Sequence, residues 1–166
     1  MLHMPDHDSR DSLPRPFRAI YTERNMTNGN RSRAVAQNPM THPFAELIDL
    51  HIAEQRAGFS RLELTVTADH LNPHRVVHGA VIYAMADTGM GAALYPTLAE
   101  GESCATIEIK MNYFKPVVAG TLFCLTELVN RGRTIANLES RVYLGKLLVA
   151  QANGNYAIFR PRKTSV

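Results

Sequence analysis

Asp87 is the residue whose position most directly suggests chemistry. It lies in the middle of an otherwise apolar segment, rich in small side chains, that begins at Gly79. Burying an unpaired carboxylate costs a free energy comparable to the whole stability of a small domain. Asp87 could be a structural carboxylate bonded to a hydroxyl or amide group, or it could be a general base or nucleophile; the residue alone leaves both open.

Gly79, at the start of the same segment, suits a second chemical task. Free amides and the positive dipole end at a helix N-terminus can bind a carbonyl oxygen on which negative charge develops. Glycine lets that oxygen approach the main chain closely, and Ala80 adds only a methyl group. Asp87 lies eight residues further on, about 12 Å along a helix. One carbonyl oxygen could therefore not contact both residues of a single chain.

The elements around these residues predict an α+β fold. The order is a short helix with Thr41 as its N-cap, two strands, one long helix from Gly79, and four strands. Short links between consecutive strands predict antiparallel pairing. Because small residues surround the long helix, we expect a curved antiparallel sheet of five to six strands to wrap it, with the helix buried on all sides. The strand-like segments are LHIAEQRAG, LELTVTAD, ATIEIKMNYF, TLFCLTELV, TIANLESRVYL and LLVAQANGNYAIF.

Composition bounds the domain organisation and the partners. The chain has 166 residues, of which 45% are hydrophobic and 20% charged, with a net charge of +3. Residues 1–38 are polar and lack periodicity, so we predict a flexible or partner-docked extension before one domain over residues 39–166. No basic helix or basic-aromatic motif accompanies the charge, which argues against nucleic acid binding.

Location is predicted from cysteine usage and apolar runs. Two cysteines cannot form a disulfide framework, and no C-x-x-C pair suggests zinc. The N-terminus has no apolar run of signal-peptide length, and the most apolar segment is interrupted by His78 and Asp87. The sequence therefore predicts a cytoplasmic protein that neither spans a membrane nor binds a metal.

The motif around the long helix resembles the hot-dog fold acyl-CoA thioesterases of the phenylacetate-degradation type. Their pattern of leucine-asparagine, a short loop, histidine-glycine-glycine and an aspartate nine residues after the histidine is matched by Leu71, Asn72, His78, Gly79 and Asp87. A later strand ends, as in that family, with an aromatic residue, a basic residue and proline, here Phe114, Lys115 and Pro116. One departure is that Ala80 replaces the family's second glycine.

The resemblance implies a function and roles for particular residues. It implies an acyl-CoA thioesterase, with coenzyme A as part of the substrate and no further cofactor, acting as a homodimer that pairs into a dimer of dimers. Asp87 would be base or nucleophile, and the partner subunit's Gly79 the oxyanion donor. The supporting catalytic residues would be Asn72, His78 and Thr106, and the substrate-binding residues Ala80, Tyr113, Lys115, Arg131 and Arg133. The two arginines would suit coenzyme A phosphates.

Purely structural roles for these residues, and other functions for the protein, remain open on the sequence alone. Asn72 could simply close an Asx turn before proline, His78 could cap the helix, and Thr106 could be a surface threonine. The segment DHLNPHRVVHG is also similar to the hot-dog enoyl-CoA hydratase motif, aspartate-x-asparagine-proline-x-histidine. Asp69 and His74 have the separation that this motif requires, but Asn72 and Pro73 are each one position later than its asparagine and proline. A third possibility is a non-catalytic acyl-CoA-binding protein that acts as a sensor. Such a regulator would normally carry a DNA-binding segment, and residues 1–38 lack helix-turn-helix periodicity.

Overall fold

The computed structural model describes residues 42–161, which form two helices and six strands. The helices are α1 (Pro43–Leu47) and α2 (Gly79–Leu94). The strands are β1 (Leu50–Arg56), β2 (Phe59–Thr65), β3 (Ser103–Tyr113), β4 (Thr121–Arg131), β5 (Ile135–Leu144) and β6 (Leu147–Phe159). The element order is the one predicted from the sequence. The predicted extension over residues 1–38 lies outside the described residues.

All six strands form one antiparallel sheet in the order β1-β2-β4-β5-β6-β3. β3 follows α2 in the chain but lies at the edge of the sheet, where it pairs with β6. The sheet packs against α2 through all six strands. This confirms the predicted hot-dog architecture of a long central helix covered by a curved antiparallel sheet.

Small side chains bring α2 unusually close to the sheet. A Cβ at Gly89 would lie 2.6 Å from Thr126 Oγ1, and a Cβ at Gly154 would lie 2.6 Å from Met90 Sδ. Such distances are shorter than real carbon contacts, so both positions require glycine. Ser60 Oγ also donates a hydrogen bond of 2.7 Å to the Gly89 carbonyl, which satisfies the buried hydroxyl.

One stripe of α2 stays open, which corrects the prediction of a helix buried on all sides. Ala80 and Tyr83 are exposed, and Asp87 and Gly91 are half-buried. Their spacing of three or four residues puts them on one face of the helix. A Cβ at Gly91 would meet no atom within 4 Å. The sheet covers the rest of the helix and leaves this stripe uncovered.

The side chains of the segment ATIEIKMNYF are predicted to alternate strictly between the two faces of a strand, and a bulge in β3 breaks that alternation. Strict alternation would set Thr106 on the face opposite Ile109. Instead the pairing with β6 shifts between Thr106 and Glu108, which leaves Ile107 unpaired and 55% exposed. The extra residue reverses the facing of the strand, because side chains alternate with a period of two. Thr106 and Ile109 therefore both face α2.

Two local boundaries also differ from the sequence prediction. The alternation in LELTVTAD predicts a strand through Asp69, but β2 ends at Thr65 and a 3-10 turn follows at Ala68–His70. His70 Nδ1 accepts from the Thr67 amide and closes that turn. At α1, the N-cap is His42, whose Nδ1 accepts from the Ala45 amide at 3.1 Å, rather than Thr41, which is not among the described residues.

Candidate active site

The Asp87 carboxylate is held through one of its two oxygens. Oδ1 accepts a hydrogen bond of 2.8 Å from Thr106 Oγ1 and one of 2.5 Å from Tyr156 Oη. Oδ2 has no hydrogen-bond partner within residues 42–161. Asp87 is half-buried rather than fully buried, because it lies on the open stripe of α2 beside the exposed Thr106. The carboxylate is thus ordered and also accessible.

Tyr156 is the site residue that the sequence prediction missed. Its side chain is 3% exposed, and its hydroxyl also lies 2.9 Å from the main-chain oxygen of Asp87. Burial, and then the bond to Asp87, raise the pKa of the Tyr156 phenol well above its ordinary value, so it stays protonated and donates. One signal was present: along the helix-facing side of β6, Tyr156 carries a polar group among Ala150, Ala152 and Ile158.

The first turn of α2 presents a backbone donor. His78 is the N-cap, and its Nδ1 accepts from the Ala80 amide at 3.0 Å. The Val81 amide donates to the His78 carbonyl at 2.9 Å. The Gly79 amide has no acceptor among the described residues. This arrangement favours the capping interpretation of His78 and leaves Gly79 N–H, rather than Ala80 N–H, available to a ligand.

Tyr113 and Lys115 lie beside Gly79. Tyr113 Oη donates to the Gly79 carbonyl at 3.0 Å. Both residues line a groove of about 300 Å³ whose walls are otherwise mainly apolar. The groove residues are Val76, Val77, Gly79, Ile82, Tyr113, Phe114, Lys115, Pro116 and Val117. Burial raises the pKa of the Tyr113 phenol, so its hydroxyl is a donor at neutral pH.

Asn72 orders the loop that leads into α2. Its Oδ1 accepts from the His74 amide at 2.9 Å and from the Val76 amide at 3.4 Å. Arg75 adopts the left-handed conformation with φ of 60°, which non-glycine residues adopt mainly where surrounding contacts require it. The Asx-turn interpretation is therefore correct for the oxygen of Asn72. Its role toward a substrate stays a prediction.

The two predicted phosphate ligands do not join these clusters. Arg131 Nη2 lies 2.8 Å from Glu102 Oε2 and is an ion-pair partner near the C-terminal end of α2. The Ala99 amide and the Arg131 guanidinium hold the pKa of Glu102 below its ordinary value. Arg133 is exposed. Arg131 would have to leave Glu102 in order to bind a phosphate.

α2 is one continuous helix from Gly79 to Leu94, so its rise separates Gly79 from Asp87 by about 12 Å. The structure therefore brings Thr106 to Asp87, and Tyr113 and Lys115 to Gly79, but it keeps the two clusters apart within the chain. Within the described range, no helix is long and apolar enough to cross a membrane. Residues 42–161 also contain no group of three or more histidine, cysteine or acidic side chains placed to hold a metal ion.

The chain is similar in sequence and in fold to proteins named as esterases or thioesterases. The sequence model of the thioesterase superfamily matches residues 74–150. An Archaeoglobus fulgidus protein named "Putative esterase" is 32% identical over 66% of this chain and 70% of its own length. Acyl-coenzyme A thioesterase PaaI from Escherichia coli is 28% identical over 70% of this chain and 77% of its own. A solved structure of the phenylacetic acid degradation protein PaaI from Thermus thermophilus is 28% identical, with a TM-score of 0.66 over 70% of this chain and 98% of its own.

Proposed function

The chain belongs to the thioesterase superfamily, and we propose that it hydrolyses acyl-coenzyme A at two sites shared between the protomers of a homodimer. One observation carries the proposal: a single helix presents an accessible carboxylate at Asp87 and, at Gly79, an amide that has no acceptor among residues 42–161. Thioester hydrolysis requires both a base or nucleophile and a donor for the carbonyl oxygen.

The Asp87 carboxylate could promote hydrolysis by either of two routes. As a base, Asp87 takes a proton from water while the water oxygen bonds to the carbonyl carbon. The carbon–sulfur bond then breaks, and the proton passes to the departing thiolate. As a nucleophile, Asp87 bonds to the carbonyl carbon as the carbon–sulfur bond breaks and the thiolate leaves. The oxygen of a water molecule then bonds to the acyl carbon of the resulting anhydride, which releases the Asp87 carboxylate, and one proton of that water passes to the thiolate. Each route gives free acid and coenzyme A, and each places negative charge on the carbonyl oxygen.

The oxyanion donor would come from the second protomer. Because about 12 Å of helix separates Gly79 from Asp87, the partner subunit's Gly79 would bind the carbonyl oxygen that Asp87 of this chain acts on. His78 would support this arrangement by occupying the Ala80 amide, which leaves the Gly79 N–H as the donor. Each dimer would then contain two equivalent sites.

The surface around β3 supports such an association. β3 pairs with β6 along one edge, no strand among residues 42–161 pairs with its other edge, and its residues Ile107 and Tyr113 are exposed. An unpaired strand edge beside apolar side chains favours pairing with another strand. A second β3 at this edge would extend the sheet and cover the open stripe of α2. Pairing of such dimers into tetramers is a further part of the proposal.

The groove beside Gly79 suits the acyl or pantetheine portion of the substrate, since its walls include Val76, Ile82 and Phe114. Lys115 on the same groove would pair with a phosphate of coenzyme A. Neither predicted arginine lines this groove: the Arg131 guanidinium is bonded to Glu102, and Arg133 is exposed elsewhere on the surface.

A hydrolysis screen tests the proposed function. The full chain would be incubated with short, medium, long and aryl acyl-CoAs, and the released thiol measured, with Asp87→Asn as the control. We expect thiol release that depends on Asp87. Loss of the double bond of crotonyl-CoA without thiol release would instead indicate a hydratase. Acyl-CoA binding in a titration with neither reaction would indicate a binding protein, and either result would overturn the proposal.

The oligomeric state is a second test. The chain has a mass of 18.5 kDa, and light scattering should give twice or four times that mass. An active species with the mass of a single chain at assay concentration would contradict the shared site.

A further inference from the structure

The Asp87 carboxylate is fixed asymmetrically by hydroxyls from two strands. Thr106 on β3 and Tyr156 on β6 both donate to Oδ1, at 2.8 Å and 2.5 Å. The same tyrosine hydroxyl lies 2.9 Å from the Asp87 main-chain oxygen, so it ties the side chain of Asp87 to its own backbone. Rotation that exchanged the two carboxylate oxygens would break both side-chain bonds.

We propose that Tyr156 is a positioning residue that, together with Thr106, holds Oδ1 of Asp87 and leaves Oδ2 as the oxygen that acts on the thioester. This inference rests on the proposed function. It adds to it by naming the reacting oxygen and the group that selects it. Tyr156 acts through Asp87 and does not itself contact the substrate.

The two hydroxyls differ in how firmly they are held. Thr106 is exposed on the edge strand, whereas the Tyr156 ring is buried in a cluster with Met90, Leu138 and Ile158. A buried aromatic ring has few accessible rotamers, so its hydroxyl stays in place before substrate arrives. Tyr156 is therefore the more rigid of the two donors, and its loss should displace Asp87 more than the loss of Thr106.

The hydroxyl of Tyr156 is a neutral donor rather than a competing acid or base. Its raised pKa follows from burial and from the adjacent carboxylate. Such a donor orients the Asp87 carboxylate without supplying a proton to the reaction. This is the behaviour required of a group that prepares a carboxylate for attack or for proton abstraction.

The test is a double-mutant cycle on the full-length protein with Tyr156→Phe and Asp87→Asn. Tyr156→Phe keeps the buried ring and removes the hydroxyl. We expect kcat for acyl-CoA hydrolysis to fall roughly 10-fold to 10²-fold, with KM nearly unchanged, because a misdirected carboxylate affects the transition state more than binding. In the Asp87→Asn background the same change should cause little further loss, since the residue it positions is no longer a carboxylate.

Tyr143→Phe on β5 serves as the matched control, because it removes a tyrosine hydroxyl at a position that pairs with Leu148, far along β6 from Tyr156. Thermal melting of each variant separates folding from positioning. Full kcat for Tyr156→Phe, an equal loss in both backgrounds, or a loss explained by unfolded protein would each overturn the role of Tyr156 while leaving the thioesterase proposal intact. Full turnover by Asp87→Asn would overturn both.

Discussion

The first turn and the middle of α2 have opposite chemical properties. The first turn offers a backbone donor at Gly79 but no base beside it, since His78 Nδ1 is occupied by the Ala80 amide. The middle of the helix offers a base at Asp87 but no spare amide, because amides in a helix interior are bonded to carbonyls four residues earlier. Neither region can hydrolyse a thioester alone.

The comparison teaches why a chain of this size would use two copies for one reaction. A helix provides free amides at its N-terminus alone, while the middle of this helix lies against β3 and β6, whose Thr106 and Tyr156 hydroxyls hold the carboxylate. Placing both on one helix separates them by its length. In the proposed dimer, an antiparallel second copy would bring the start of one helix to the middle of the other. The predictions below test each region and then their combination.

The largest effect is expected for Asp87→Asn. The amide has nearly the shape of the carboxylate, and its oxygen can still accept from Thr106 and Tyr156, so folding and acyl-CoA binding should persist. Turnover should fall by about 10²-fold to 10⁴-fold, as removal of a general base does. Thiol release measured beside thermal melting checks this. A stable variant with a full rate would refute the catalytic assignment, and a lower melting temperature with a full rate per folded dimer would identify a structural carboxylate.

The first turn can be tested by removing a single hydrogen-bond donor. Gly79→Pro eliminates the amide N–H at a helix position that accepts proline, and His78 already has the extended conformation required before proline. We expect kcat to fall about 10²-fold to 10³-fold, as for loss of one oxyanion donor.

Gly79→Ala is the matched control for that change. Both variants add a Cβ that would lie 3.2 Å from the Tyr113 hydroxyl, so both require the same small movement of that side chain. Only the proline variant loses the N–H. Similar rates for the two variants would show that the Gly79 amide is not the oxyanion donor.

Mixing the two defective proteins tests the combination. After unfolding and refolding an equal mixture of Asp87→Asn and Gly79→Pro chains, half of the dimers should be mixed, and each mixed dimer should contain one intact shared site. The recovered kcat should approach a quarter of the original value. Recovery near zero, with mixed dimers verified by mass spectrometry of the native assembly, would contradict a site built from two chains.

Ala80→Gly should have the smallest effect. The Ala80 amide is occupied by His78, and its side chain is exposed, so removing the methyl group changes neither donor nor base. We expect hydrolysis within a few-fold of the original rate, with a modest loss of stability because glycine is a poor helix former. A large gain in rate would show that the methyl group obstructs the site.

The family motif and the elements that carry it could be predicted from the sequence. The start of α2 at Gly79 follows from a run of small apolar residues after a capping histidine, and the strands follow from alternation. These are local signals with periods of 3.6 and 2 residues. The spacing of Asn72, His78, Gly79 and Asp87 is likewise a property of contiguous sequence, which is why the family could be identified from it.

The environment of Asp87 was decided only by the tertiary structure. Thr106 faces Asp87 because a bulge at Ile107 reverses the strand, and no rule of alternation signals that extra residue. Tyr156 is sixty-nine positions from Asp87 along the chain, and its approach depends on the pairing of β6 with both β5 and β3. The fold also pairs Arg131 with Glu102, so its guanidinium is not free to bind the phosphate that the sequence analysis assigned to it. Periodicity sets which face a residue occupies, whereas strand register and bulges decide which side chains meet.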